Sequence, residues 1–306
     1  MRILFMGTPE FAVRSLEACL RIGDVVAVVT QPDKPRDRGQ TLSFSPVKAH
    51  ASARGIPVLQ PEKLKNTDFH KTLREYGADV AVVTAYGKIL PQDVLDALPK
   101  GCVNVHASLL PRFRGAAPIQ WAIAAGDLKS GVCLMKMDAG MDTGPVIDRA
   151  ELPIAAVDTS ATLHDKLAVL GGQVLERSLA RYVNGELTPK PQPTEGVVMA
   201  PMIKKEDGRL DFTKSAVELE RRLRAFTPWP GAFTTFDKAG LKIGTVAVGQ
   251  GSGAPGTVLA VTPDAIEVAC GQGSLLVLSL QPEGKRAMTA REFLAGRTVV
   301  VGSRFA

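Results

Sequence analysis

Four cysteines in 306 residues, none in a Cys-x-x-Cys pair, are too few and too scattered for a disulfide framework or a thiolate zinc site. Cys19, Cys102 and Cys133 sit among apolar neighbours and read as small core residues. Histidine is as scarce, at four, and His50, His70 and His164 have no ligand partner at useful spacing, so no metal site is expected. No apolar run is long enough to span a bilayer. The opening "MRILFMG" is too short for a signal peptide, and the expectation is a cytoplasmic chain with no membrane contact. The phosphate-binding pattern Gly-x-Gly-x-x-Gly is missing as well. Gly7 stands alone after the first apolar run, which argues against a dinucleotide site but leaves a helix N-terminus there as an anion site. There is no internal repeat.

What is present fits a globular chain of one large domain or two ordinary ones, with 45% hydrophobic residues. The net charge of +6 and a pI near 9.2 lean toward acidic partners such as nucleic acid, although solubility accounts for a charge of that size equally well. "MRILFMG", "VVAVVT", "DVAVVTAY" and "CVNVHAS" are nearly continuous apolar strands separated by helical segments. The first of those helices opens at "TPEF", where Thr8 suits the N-cap and Pro9 the first helical position. Residues 160–185 form a long amphipathic helix, and "GVCLMKM" and "GPVIDRAELPI" are later strands. Right-handed crossovers turn this order into a doubly wound, mostly parallel, Rossmann-like sheet. From 190 to 206 the composition becomes Pro-rich and polar, as in an extended linker. Beyond it come a helix with Ser215 and Glu218 as a capping pair and about five short strands, which suggest a small OB-like β-barrel. The expected organisation is therefore a catalytic domain at 1–189, a linker at 190–206 and an OB-like domain at 207–306.

The densest chemistry is "NVHASLLPRFRGAAP", residues 104–118. Asn104 and His106 are two apart on a strand, so both leave one face near its carboxyl end, where open α/β sheets place ligands. An amide donor beside an imidazole suits a developing oxyanion. A second unusual turn, "MDAGMDTGP", puts Asp138 and Asp142 around Gly140 and Gly144. A carboxylate on such a turn can be aimed into a cleft, or can simply cap its own backbone; sequence supports both. Aspartic proteases also carry Asp-Thr-Gly, but they need two such carboxylates, and one occurs here. The stretch 31–48 is long for a strand-to-helix connection and carries Lys34, Arg36, Arg38 and Lys48 against Asp33 and Asp37. It reads either as a mobile arm for phosphates or as a solvated loop.

Asn-x-His, Ser-Leu-Leu-Pro-x-x-Arg-Gly and a downstream Asp-x-Gly-x-Asp-Thr-Gly together resemble the folate-dependent formyltransferase family. "AAPIQ", "RAFTPWPGAF" and "LSLQPEGKRAM" are similar to the members that act on methionyl-tRNA. The resemblance implies 10-formyltetrahydrofolate as donor, initiator methionyl-tRNA as acceptor and partner, a monomer, and no metal. Another amine, such as a nucleotide-linked sugar, is the alternative acceptor. It implies a catalytic trio of Asn104, His106 and Asp142. It places folate contacts on Ser108, Leu109, Leu110 and Pro111, with Tyr86, Gly87 and Ile89 walling the pocket. It places tRNA contacts on Lys34, Arg36, Arg38, Lys204 and Lys205. The loop departs from the family, reading Asp37-Arg38-Gly39 where Gly-Arg-Gly is commoner, and is less basic for it.

Overall fold

A computed structural model describes residues 1–36 and 41–306, and only the backbone of 34–36, 41 and 42. The chain divides into two compact units. The first comprises Met1–Pro118, Lys129–Pro153 and His164–Ala200; the second comprises Ile119–Leu128, Ile154–Leu163 and Pro201–Ala306.

In the first unit the chain runs β1 (Arg2–Gly7), α1 (Glu10–Ile22), β2 (Asp24–Val29), β3 (Lys34–Arg36), β4 (Thr41–Ser43), α2 (Pro46–Ser52) and β5 (Val58–Leu59). It continues with α3 (Phe69–Glu75), β6 (Val80–Thr84), α4 (Gln92–Leu95), β7 (Cys102–His106), α5 (Pro118–Ala125, mostly in the second unit), β8 (Lys129–Lys136), β9 (Val146–Pro153) and α6 (Ser160–Val183). Seven strands form one sheet in the order β5-β2-β1-β6-β7-β8-β9. All pairings from β5 to β7 are parallel, and β8 alone runs against its neighbours. The central strands are buried on both faces, which is why they read as continuous apolar runs; β9, at the edge, alternates. Leu4, Met6, Val83, Val94, Leu98 and Cys102 anchor the apolar layer on one face of this sheet.

Three local expectations change. Pro9, not Thr8, is the N-cap of α1, and the Thr8 hydroxyl instead donates to the Tyr86 carbonyl at 3.2 Å. The stretch 31–48 has regular structure that charge and composition concealed. Within it β3 pairs antiparallel with β4, and α2 follows, its N-cap Ser45 accepting from the Lys48 N–H at 3.1 Å. Residues 190–200 are not a free linker. Val146 and Lys190 exchange two backbone bonds of 2.8 Å, Arg114 N–H donates to Val198 (2.9 Å), and Ala200 N–H donates to Arg114 (2.7 Å). A Pro-rich stretch signals extended backbone, and here that backbone is bonded along the first unit.

The second unit holds α7 (Ala216–Ala225), β10 (Ala232–Phe236), β11 (Ala239–Ile243), β12 (Val246–Gly249), β13 (Val258–Thr262), β14 (Ala265–Ala269), β15 (Ser274–Val277), β16 (Ser279–Pro282), β17 (Met288–Thr289) and α8 (Ala290–Gly296). These eight strands make two antiparallel sheets, β10-β11-β16-β17 and β12-β15-β14-β13, around a core that includes Leu219, Ile243, Val258, Ile266, Leu280 and Phe305. The sequence suggested fewer strands because two apolar runs each serve both sheets. "SLLVLSL" crosses at Leu278 and "LKIGTVAVG" at Gly244–Thr245, where Leu278 N–H donates to the Thr245 carbonyl at 2.9 Å.

Candidate active site

Asn104 and His106 leave β7 on one face, and the loop between β8 and β9 folds back to meet them. In that loop the two aspartates divide the work. Asp138 closes the turn, its Oδ1 accepting from Gly140 N–H (3.1 Å) and the Thr143 hydroxyl (2.6 Å). Asp142 is the one aimed at β7. Its Oδ1 accepts from Asn104 Nδ2 at 3.3 Å, and its Oδ2 accepts from Gly115 N–H at 2.8 Å and lies 3.6 Å from His106 Nδ1. Asp142 has φ +53, the left-handed region, which is uncommon for residues other than glycine although aspartate enters it more readily than most.

His106 is buried. Its Nε2 donates to the Phe113 carbonyl at 2.9 Å, which fixes the ring plane. The Nδ1 contact at 3.6 Å is too long for a hydrogen bond, so Nδ1 is the nitrogen with capacity to spare. Asn104 likewise has a second amide hydrogen beyond the one directed at Asp142. One amide donor, one imidazole nitrogen and one carboxylate thus converge.

The formyl transferase family matches residues 1–179, and its C-terminal domain matches residues 202–298. A methionyl-tRNA formyltransferase of Myxococcus xanthus is 64% identical over 303 residues, covering 99% of this chain and 97% of the relative. The chain belongs to the methionyl-tRNA formyltransferase family. A relative of that name from Stenotrophomonas maltophilia is 54% identical over 97% of this chain and 98% of its own. Among solved structures, a Helicobacter canadensis N-formyltransferase in complex with folinic acid and dTDP-3-aminofucose superposes with a TM-score of 0.68 at 18% identity, over 90% of this chain and 98% of that one. HypX from Aquifex aeolicus in complex with tetrahydrofolic acid gives 0.62 at 17% identity, over 99% of this chain, which spans only 50% of HypX. At those identities the two structures share the formyltransferase fold and nothing finer.

Within this formyltransferase, the residues expected around folate fall on loops after the adjacent strands β6 and β7, but not all present a side chain. Ser108 is buried, and its hydroxyl closes the turn on the Arg112 carbonyl at 2.6 Å. Leu110 packs with Cys133 and Met135, while Leu109 and Pro111 are half-buried. Tyr86 is buried in the apolar layer beside β6. Its hydroxyl has no hydrogen-bond partner among the described residues, and burial pushes its pKa up to about 12. What Tyr86 offers the loop is its carbonyl, held by Thr8 Oγ1 and Gln31 Nε2. Gly87 is exposed, and Ile89, 86% exposed, is the open apolar surface of this loop.

Of the basic residues, Lys34 and Arg36 lie on β3, and Arg38 lies outside the described residues. Lys48 is not available to a partner: its ammonium pairs with Asp33 and donates to Gln60 Oε1 at 2.7 Å. Lys48 holds the Asp33 carboxyl below its ordinary value, with help from Gln60. A depressed carboxyl stabilises the fold above its unfolded value and loses that contribution as acid protonates it. Lys48→Met should therefore flatten the rise of melting temperature between about pH 3 and pH 5. Melts across that range check this, and an unchanged slope refutes the pairing. Lys204 and Lys205 are exposed in the second unit, where Lys205 borders a cavity of about 360 Å³ with Phe233, Lys242 and Glu283. Sequence reading missed Gln192 and the role of Arg114, whose partners lie far away in the chain.

Proposed function

We propose that the chain transfers the formyl group of 10-formyltetrahydrofolate to the α-amine of methionine on initiator tRNA, as a monomer in the cytoplasm. The observation that carries the reading is the convergence of Asn104, His106 and Asp142. The donor is a substrate. Groups that recognise a formyl oxygen and relay a proton are what this reaction asks of a protein, and no metal is called for.

When the amine nitrogen attacks the formyl carbon, the carbonyl pair moves onto oxygen. Asn104 donates its spare amide hydrogen to that oxygen and His106, as the imidazolium, donates from Nδ1; such donors are typically worth about 3–4 kcal/mol each in the transition state. Asp142 takes the proton that the new C–N bond forces off the amine. As the old C–N bond breaks, the folate nitrogen gains a proton relayed through the Asp142–His106 pair. The balance is one formyl and one proton exchanged, and the residues end as they began.

Formylation of methionyl-tRNA with formyl-folate, initiator against elongator, tests the assignment. Strong preference for the initiator is expected. Formylation of an amino-sugar nucleotide with none of methionyl-tRNA overturns it.

The second unit is assigned to tRNA, with Lys205 and Lys242 beside the cavity as phosphate contacts. Neither makes an ion pair among the described residues. Lys205→Ala and Lys242→Ala should each weaken tRNA binding and reduce the slope of log K against log salt by about 0.7–0.9, leaving folate affinity unchanged. Wild-type slopes in a salt titration of both variants would contradict this.

A further inference from the structure

Gln192 sits between Pro191 and Pro193 in the strap bonded along the first unit, and its side chain reaches two other segments at once. Its Oε1 accepts from Arg114 Nε (3.0 Å) and Nη2 (2.8 Å). Its Nε2 donates to the carbonyls of Asp142 (2.8 Å) and Gly144 (2.7 Å). Two hydrogens and two lone pairs are all that a carboxamide has, and all four are used.

We infer that Gln192 is a positioning residue, a clasp that holds Asp142 in its catalytic conformation. This rests on the proposed role of Asp142. Left-handed backbone is a minority conformation even for aspartate, which enters it more readily than most residues, so the bonds around Asp142 select it. The residue is pinned at both ends: its carboxylate by Asn104 and Gly115, its carbonyl by Gln192. Without the second pin the peptide turns and carries the carboxylate away from Asn104 and His106.

The identity of residue 192 supports the same role. The Arg114 guanidinium spends two donors on a neutral amide and has no ion pair among the described residues. A glutamate would satisfy Arg114 better, by a bidentate ion pair. It would also set a carboxylate against two carbonyl oxygens and lose both bonds to the loop. The chain keeps glutamine, the one side chain of this length that can accept from Arg114 and donate to the loop.

The test is a cycle of Gln192→Glu, Asp142→Asn and the double variant. Gln192→Glu keeps the strap anchored on Arg114, so its melting midpoint should stay within about 3 °C of wild type. Its kcat should fall roughly 10- to 100-fold, with KM for the formyl-folate unchanged. The double variant should be no slower than Asp142→Asn alone, because both changes act through one carboxylate. If Gln192→Glu fails to fold, Arg114→Met loosens the clasp from the other side and should show the same loss in kcat. Wild-type kcat in the clasp variant, or full additivity in the double, beside an impaired Asp142→Asn overturns the clasp alone. Wild-type kcat in Asp142→Asn overturns both the clasp and the catalytic reading.

Discussion

Asp142→Asn should lower kcat by about 10²–10³ while the protein stays folded and binds formyl-folate. The change is nearly isosteric and removes a charge and the ability to take a proton. It also disturbs the hydrogen bonds, because both carboxylate oxygens accept, one from Asn104 and one from Gly115 N–H. An asparagine can present its oxygen to only one of those donors and must turn its NH2 toward the other. Some of the loss is then geometric, and a comparison with Asn104→Ala and His106→Ala separates it. Each of those removes one of the donors proposed for the oxyanion and should cost roughly 10²–10³ in kcat. If all three variants retain more than about a tenth of wild-type turnover in single-turnover assays, the trio is not catalytic.

Two of those three residues stood out in the sequence for a physical reason. Asn104 and His106 stand two apart on a strand, so their shared face follows from the period of the strand alone. Continuous apolar runs likewise gave β1, β2, β6 and β7, because strands covered on both faces have no polar alternation to disguise them. Which aspartate of "MDAGMDTGP" served the site was not legible. Both sit on glycine-supported turns, and the choice depends on Gly115, 27 residues away. Gln192 was less visible still. It lies 50 residues from Asp142 and 78 from Arg114, inside a stretch whose prolines suggested a linker. Periodicity reports neighbours at separations of a few residues, and neither contact leaves a mark at that range. The β3–β4 pair was hidden differently: three residues per strand are too few for alternation to register.

Gly144→Ala should be nearly as damaging as the catalytic substitutions, with a signature of its own. A Cβ built on Gly144 comes 1.8 Å from the Lys136 carbonyl oxygen and 3.4 Å from Asp138 N. Both are backbone atoms at the mouth of the loop, where Lys136 N–H donates to the Pro145 carbonyl at 2.9 Å, and neither can swing aside as a side chain would. The methyl has to push the loop base open. That moves the Gly144 carbonyl off Gln192 and, two residues away, Asp142 off Asn104. Overpacking of this kind typically costs about 1–3 kcal/mol of stability. The displaced carboxylate should add a fall in kcat of about 10²-fold or more, since small misplacements of a catalytic group have effects of that size. Two other glycines calibrate the result. Gly140→Ala crowds the Thr143 side chain, whose hydroxyl bonds Asp138 rather than Asp142, so its loss of activity should be smaller. Gly296→Ala meets nothing within 4 Å and should leave activity unchanged. Melting curves and kcat for the three variants give the order. If Gly144→Ala keeps wild-type turnover, or is milder than Gly140→Ala, the loop base is not the rigid seat of Asp142.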